Sequence, residues 1–316
     1  LAVVIFTATV IAGCVSHSGV EGSFDRQFTV NGPVALELTT GSGDARITAG
    51  PPGEVHVHGE IHVDSWSSQS GQTRLQQVQS NPPISQEGNL IRIGGPRRSG
   101  GDVSIDYTIV VPQDTQLRST SGSGDVDVRG IQGPANFTCG SGDVTASEIE
   151  GDVQVLCGSG DIKLSKIKGQ ARVTTGSGDI TLDTIRGETR LQTGSGTLEI
   201  SNAGDALEAN TGSGDITIKG ASSDVRLHTS SGEIDVEGNP GSSNYWDFHT
   251  NSGEVTLQVP PAASFRLYAR SSSGDIDAAI PIAMEGTAGK HELRARIGDG
   301  KARVEIQTSS GDISLH

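Results

Sequence analysis

The sequence predicts an all-β chain: a right-handed parallel β-helix (β-solenoid) of about 18 residues per coil, with an irregular N-terminal β portion. Three observations predict it. Gly-Ser-Gly opens six consecutive 18-residue lines, at Gly122, Gly140, Gly158, Gly176, Gly194 and Gly212. Each line holds two short period-two alternations divided by turn residues, as with Ile180/Leu182 and then Leu191/Thr193 in the line from Gly176. Glycine is abundant, 44 of 316 residues, and aromatics make up only 3%, which suits a repetitive β scaffold better than an ordinary globular core. One line cannot bury its apolar face alone. Stacked on copies of itself, with strands about 4.8 Å apart, it builds a continuous core. Parallel crossovers set the expected hand. A left-handed hexapeptide helix is excluded because Arg186 and Gln192 fall where it needs aliphatic residues. A calcium β-roll is excluded because the second half of each line lacks its glycine pattern.

The first element is an address. Residues 1–13 form an apolar run too short to span a bilayer comfortably and of the length of a secretory signal core. Ile11-Ala12-Gly13-Cys14 resembles a bacterial lipobox, which makes Cys14 the expected lipidation site and residues 14–23 a tether. Val15 after it points, by resemblance to the lipoprotein sorting rule, to the outer membrane. The expected location is the cell envelope, on its periplasmic or surface face, with a lipid anchor as the membrane contact.

Residues 24–118 read as the irregular portion. VALELTTGSGDARI resembles a first coil, EVHVHGEIHV alternates strongly, and SGQTRLQQVQS reads as one short helix stopped by Pro82 and Pro83. LIRI and SIDYTIVVP are further strands. Residues 119–316 read as the regular solenoid. After the line from Gly212, the acid positions Glu233, Glu254, Asp275 and Asp312 are more widely spaced, so later coils carry insertions. The largest, at about 278–300, is expected to hold a strand pair around the G-D-G at Gly298.

Within the repeat, glycine supplies positive φ at the corners, and Ser and Asp side chains cap free backbone N–H groups there. The competing use of the ladder Asp125, Asp143, Asp161, Asp179 and Asp215 is Ca2+ binding. Thr197 interrupts that column, so capping is preferred. Thr175, Thr193, Thr211, Thr229 and Thr250 should face inward, with Cys139 and Cys157 in the same column on successive coils. Those two are expected either as a disulfide or as buried thiols.

The frame strand, Val-Pro, loop, strand, Ser-Gly-Asp occurs twice, as YTIVVPQDTQLRSTSGSGDV and EVTLQVPPAASFRLYARSSSGDI. With the G-S-G-D-I-x-L ladder and the closing SSGDISL, it resembles the bacterial putative-adhesin family of β-strand-repeat proteins, related to the head domain of auto-transporter adhesins. The resemblance covers roughly residues 24–316. It implies a β-repeat fold and an adhesive role, and brings no catalytic motif.

Two groups of outward side chains invite chemistry. His56, His58 and His62 share one strand face, opposite Val55, Val57, Ile61 and Val63, and read as a polar face rather than a metal site. Arg226 and His228 on one coil, Tyr245, Asp247 and His249 on the next, and Arg266, Tyr268 and Arg270 on the one after should stack into a patch suited to anionic sugars or carboxylates. Trp246 and Phe248 should point inward. A polysaccharide-processing enzyme needs converging carboxylates, and only Asp247 offers one here. No Ser-His-Asp order, P-loop or H-E-x-x-H phrase occurs. The net charge of −15 excludes nucleic acid as a partner. The sequence therefore points to a non-catalytic lipoprotein that binds glycan or envelope partners, with an enzyme and a calcium-stiffened spacer as alternatives.

Overall fold

The computed structural model describes residues 19–64, 68–94, 103–281 and 283–316. Cys14 and its tether up to residue 18 lie outside them. The chain divides after Gln132 into two compact units.

The second unit is a β-solenoid of parallel coils with two sheets. Strands that follow each G-S-G-D form one sheet, in the order Val144–Ser147, Ile162–Ile167, Ile180–Ile185, Leu198–Ala203, Ile216–Ala221, Ile234–Gly238 and Val255–Gln258. Strands that precede the phrase form the other, from Ala135–Cys139 through Val153–Ser159, Ala171–Ser177, Thr189–Ser195, Leu207–Ser213 and Val225–Ser231 to Tyr245–Ser252. The register is one repeat per rung: Ile162 lies beside Ile180, Ile180 beside Leu198, and Leu198 beside Ile216. Alternation then places every second side chain inside. Trp246, Phe248, Ile180, Leu191 and Ile216 are wholly buried, and so are Thr229 and Thr250.

The buried threonines do not merely fill space. Thr193, Thr211, Thr229 and Thr250 donate to the carbonyls of Gly178, Gly196, Gly214 and Gly232, at 3.1–3.3 Å. Each hydroxyl thus ties a strand to the glycine corner of the rung before it. Cys139 lies in register with Cys157. The pair is a disulfide, with its Cα atoms 4.5 Å apart.

The glycine corners show the expected positive φ on two rungs, at Gly160 (150°) and Gly178 (148°), and also meet a demand for space. A Cβ on Gly196 would lie 2.1 Å from the carbonyl oxygen of Gly178, and one on Gly214 would lie 2.0 Å from that of Gly196. Close backbone stacking excludes a side chain there. A second positive-φ column lies at the opposite corner and runs through Glu148, Lys166, Thr184 and Asn202, with φ of 54–59°, to Gly220 at 74°.

The solenoid ends out of chain order. After Val255–Gln258 the chain strides over one rung to Phe265–Ser271 and Ile276–Ala278. It then forms the antiparallel pair Ala283–Gly289 and Glu292–Ile297. Finally it returns as Ala302–Ser310 and Ile313–Leu315, which fill the skipped rung. The insertion is therefore a strand pair, as expected, but its turn is at Lys290–His291. The G-D-G at Gly298 instead joins that pair to the returning strand.

The first unit uses the same device. The coil of Ala35–Thr40 and Ala45–Gly50 lies between Leu90–Gly94/Val103–Pro112 on one side and Gln116–Ser121/Val126–Arg129 on the other. Both Val-Pro frames thus mark a two-rung stride. Outside Val103–Pro112 run Glu54–Asp64 and then Gly19–Thr29, each antiparallel to its neighbour. The helix Ser68–Ser80 packs against these last two strands. Gly22 makes room for it, because a Cβ there would meet Leu75 at 2.8 Å and Gln79 at 2.7 Å.

Candidate functional site

The outward face of the second unit's preceding-strand sheet collects all eight residues of the predicted patch. Arg226 lies opposite Asp247 and His228 opposite His249. The stacking order then departs from expectation. Arg266, Tyr268 and Arg270 do not sit beside Tyr245, Asp247 and His249, because the returning strand comes between and adds Arg303, Glu305 and Gln307. The strand Glu292–Ile297 adds Arg294 and Arg296 beyond Tyr268 and Arg266. Sequence reasoning missed these residues because it assumed that rungs follow chain order. The repeated Val-Pro frame was the available signal.

The face is densely bonded. The Tyr245 hydroxyl donates to Glu305 Oε2 at 2.7 Å, and Arg303 bridges to the other oxygen of Glu305. The Arg303 guanidinium lies 5.7 Å from the Tyr245 ring centre, and that of Arg294 lies 5.0 Å from that of Tyr268. The His228 and His249 rings stack at 5.1 Å with 4° between their planes. Further along the same column, Arg190 Nε donates to Glu208 Oε2 at 2.9 Å.

These contacts set the charge states. The Arg190 hydrogen bond holds the Glu208 carboxyl below its usual range. Partial burial, followed by the neighbouring Glu305 charge, raises that of Asp247. Burial and the bond to Glu305 push the Tyr245 phenol up to about 12, so it serves as a donor. Asp247 and Glu305 are in register on adjacent strands, which supplies the second carboxylate that the sequence did not reveal.

The carboxylate ladder sits at the other sheet's corner and caps backbone. Asp143 Oδ1 accepts from the Asp161 N–H at 2.8 Å, Asp161 from Asp179 at 3.0 Å, and Asp179 from Thr197 at 2.8 Å. Asp215 does the same for Glu233 at 2.8 Å. Asp125 lies in the first unit, where its own N–H donates to Asp44 at 2.9 Å. The capping runs between rungs rather than within one corner. A shallow depression of about 240 Å3 lies over Asp161, Asp179, Thr197 and Glu199.

In the first unit, His58 bonds Asp25 at 2.8 Å and His62 bonds Asp106 at 3.2 Å. Among the described residues, no group of three or more His, Cys, Asp or Glu is placed to hold a metal ion. No described helix is long and apolar enough to cross a membrane.

The rung-by-rung glycine and aspartate ladder now meets its counterpart in a family model: Toastrack DUF4097 matches residues 34–236 and 206–316. The chain belongs to the Toastrack family. Three solved structures are similar over 93% of this Toastrack chain, at low identity. One is described as a putative cell adhesion protein from Clostridium sporogenes, 13% identical over 98% of that chain, with a TM-score of 0.23. Another is described as a putative adhesin from Bacteroides fragilis, 12% identical over 97%, at 0.40. The third is described as a putative lipid binding protein from Parabacteroides distasonis, 14% identical over 96%, at 0.44. No curated protein matches the chain.

Proposed function

We propose that this Toastrack chain is a non-catalytic binding module of the cell envelope, adhesive in role and held to the membrane by lipid on Cys14. Its ligand is a glycan or an envelope protein. The observation that carries this is the face built by Arg226, Tyr245, Arg303, Arg266, Tyr268 and Arg270: a concentration of arginine and tyrosine on a chain of net charge −15. Arginine forks suit carboxylates and sulfates, and tyrosine rings suit sugar faces. The Cys139–Cys157 disulfide supports an oxidising compartment outside the cytoplasm. The test is capture of glycans and envelope proteins by the purified chain. Binding should collapse in the double variant Arg226→Glu, Arg270→Glu. Undiminished capture by that variant removes this face from the function.

The adjacent Asp247 and Glu305 favour a second reading, polysaccharide cleavage. Their environments differ, as an acid–base pair requires, and rungs about 4.8 Å apart suit a retaining arrangement. Release of reducing ends from an acidic polysaccharide, abolished by Asp247→Asn, would replace the binding module with an enzyme.

A further inference from the structure

The outward face of the preceding-strand sheet also holds a depression of about 290 Å3, on strands separated from that of Arg226 by Leu207–Ser213. Asn136, Gln154, Arg172 and Arg190 line it in register, one from each of four adjacent parallel strands. Alternation sends them outward, because Ala135, Val153 and Ala171 beside them are buried. Gln170 and Glu188 line its side. The volume is just under the range of about 300–1,000 Å3 usual for small-molecule sites.

Bonding within the depression is uneven. Arg190 is held by two carboxylates: its Nε donates to Glu208 Oε2 at 2.9 Å, and its guanidinium lies 3.4 Å from Glu188. Asp152 Oδ1 accepts from the Gln170 N–H at 2.9 Å. The two carboxylates that line the depression, Asp152 and Glu188, are thus both engaged. Among the described residues, none hydrogen-bonds or ion-pairs with the Arg172 guanidinium, or hydrogen-bonds with the side-chain amides of Asn136, Gln154 and Gln170. One guanidinium fork and three amides, each with two N–H donors and a carbonyl acceptor, therefore converge with their bonding capacity unused.

We propose that this depression is a binding subsite for a uronate, an acidic sugar, separate from the face of Arg226 and Arg270 and not dependent on it. The Arg172 guanidinium takes the sugar carboxylate through two parallel N–H donors. The amides of Gln154 and Asn136 follow along the stacking direction at the strand spacing of about 4.8 Å, and that of Gln170 stands at the side. They serve the ring hydroxyls, which like the amides both donate and accept. The lining has no aromatic ring, and of its apolar residues Val153 and Ala171 are buried. Hydrogen bonding rather than apolar contact therefore selects the ligand.

The test follows the side-chain amide signals of Asn136, Gln154 and Gln170 by NMR in the whole chain. The probe is trigalacturonate, with galactotriose as its neutral counterpart and acetate as a bare carboxylate. Trigalacturonate should shift these signals, and Arg172→Gln should weaken its affinity roughly tenfold. Arg172→Lys keeps the charge without the fork and should fall between. Circular dichroism establishes that the variants are folded. Wild-type affinity in Arg172→Gln, or amide signals that trigalacturonate leaves unmoved, overturns the subsite. Equal affinity for galactotriose overturns the acidic ligand class, and equal affinity for acetate overturns the sugar. In Arg226→Glu, Arg270→Glu the amide shifts should persist, and their loss there overturns the separation of the two sites. If Arg172→Gln binds like the wild type while Arg226→Glu, Arg270→Glu abolishes glycan capture, the subsite falls and the face stands.

Discussion

A backbone oxygen occupies the place where a side chain on Gly196 would begin, 2.1 Å from the ideal Cβ position. Gly196→Ala should therefore cost about 3 kcal/mol in chemical denaturation, whereas Gly298→Ala, in a surface turn, should cost less. The opposite corner makes the reverse prediction. Thr184 is β-branched and holds φ at 59°, so Thr184→Gly should stabilise the chain by about 1 kcal/mol. A destabilised variant would contradict the left-handed column. Sequence alone showed that both corners turn, because each carries turn residues. It did not show which glycines are needed for φ and which for space, since both demands select the same residue.

Asp247 gives a prediction with a defined sign. Its folded pKa is raised, chiefly by burial, so its favourable contribution is present below the unfolded value of about 3.9 and is lost as pH rises through the folded value. Asp247→Asn should raise the melting temperature at pH 7, and the gap should close at low pH. Glu208 runs the other way. Its folded pKa is lowered by Arg190, so its contribution is present above the unfolded value and is lost as pH falls through the folded one. Glu208→Gln should lower the melting temperature at pH 7 slightly, with the difference gone in acid. A D247N variant less stable at pH 7 would show that its partners outweigh its burial.

At the scale of elements, the ladder and the disulfide join rung to rung. Because Asp143, Asp161, Asp179 and Asp215 accept N–H bonds from the next rung, the melting temperature should not move on adding EDTA. A fall would restore calcium to the ladder. Reducing Cys139–Cys157 opens a link spanning 18 residues and should cost about 3 kcal/mol, measured as a lower midpoint in denaturant with reductant. The strands were legible because period-two alternation and an 18-residue repeat leave few alternatives. Trp246 and Phe248 fell inside for that reason. The order of the last rungs was not legible. A strand's own pattern states which face it buries, but not which neighbour it pairs with, and Val255–Gln258 accepts either Ile276–Ala278 or Ile313–Leu315 on grounds of apolarity.

Across the whole molecule, charge is uneven. A chain of −15 carries a face with Arg226, Arg303, Arg266, Arg270, Arg294 and Arg296, set among Glu208, Asp247, Glu305 and Glu292. The sequence supplied half of that face. The rest follows from the returning strand, which places Glu305 beside Asp247 and Arg303 beside Arg266. Both Val-Pro frames, one in each unit, mark strides of two rungs, so topology rather than any motif assembles the candidate site. Paired cysteines test that topology directly. His249→Cys with Gln307→Cys, in a background lacking Cys139 and Cys157, should oxidise readily to a disulfide, because the two positions are in register on neighbouring parallel strands. His249→Cys with Arg270→Cys should not, because a strand lies between them. Ready bonding of 249 to 270 and none to 307 would place the rungs in chain order and dismantle the face as described.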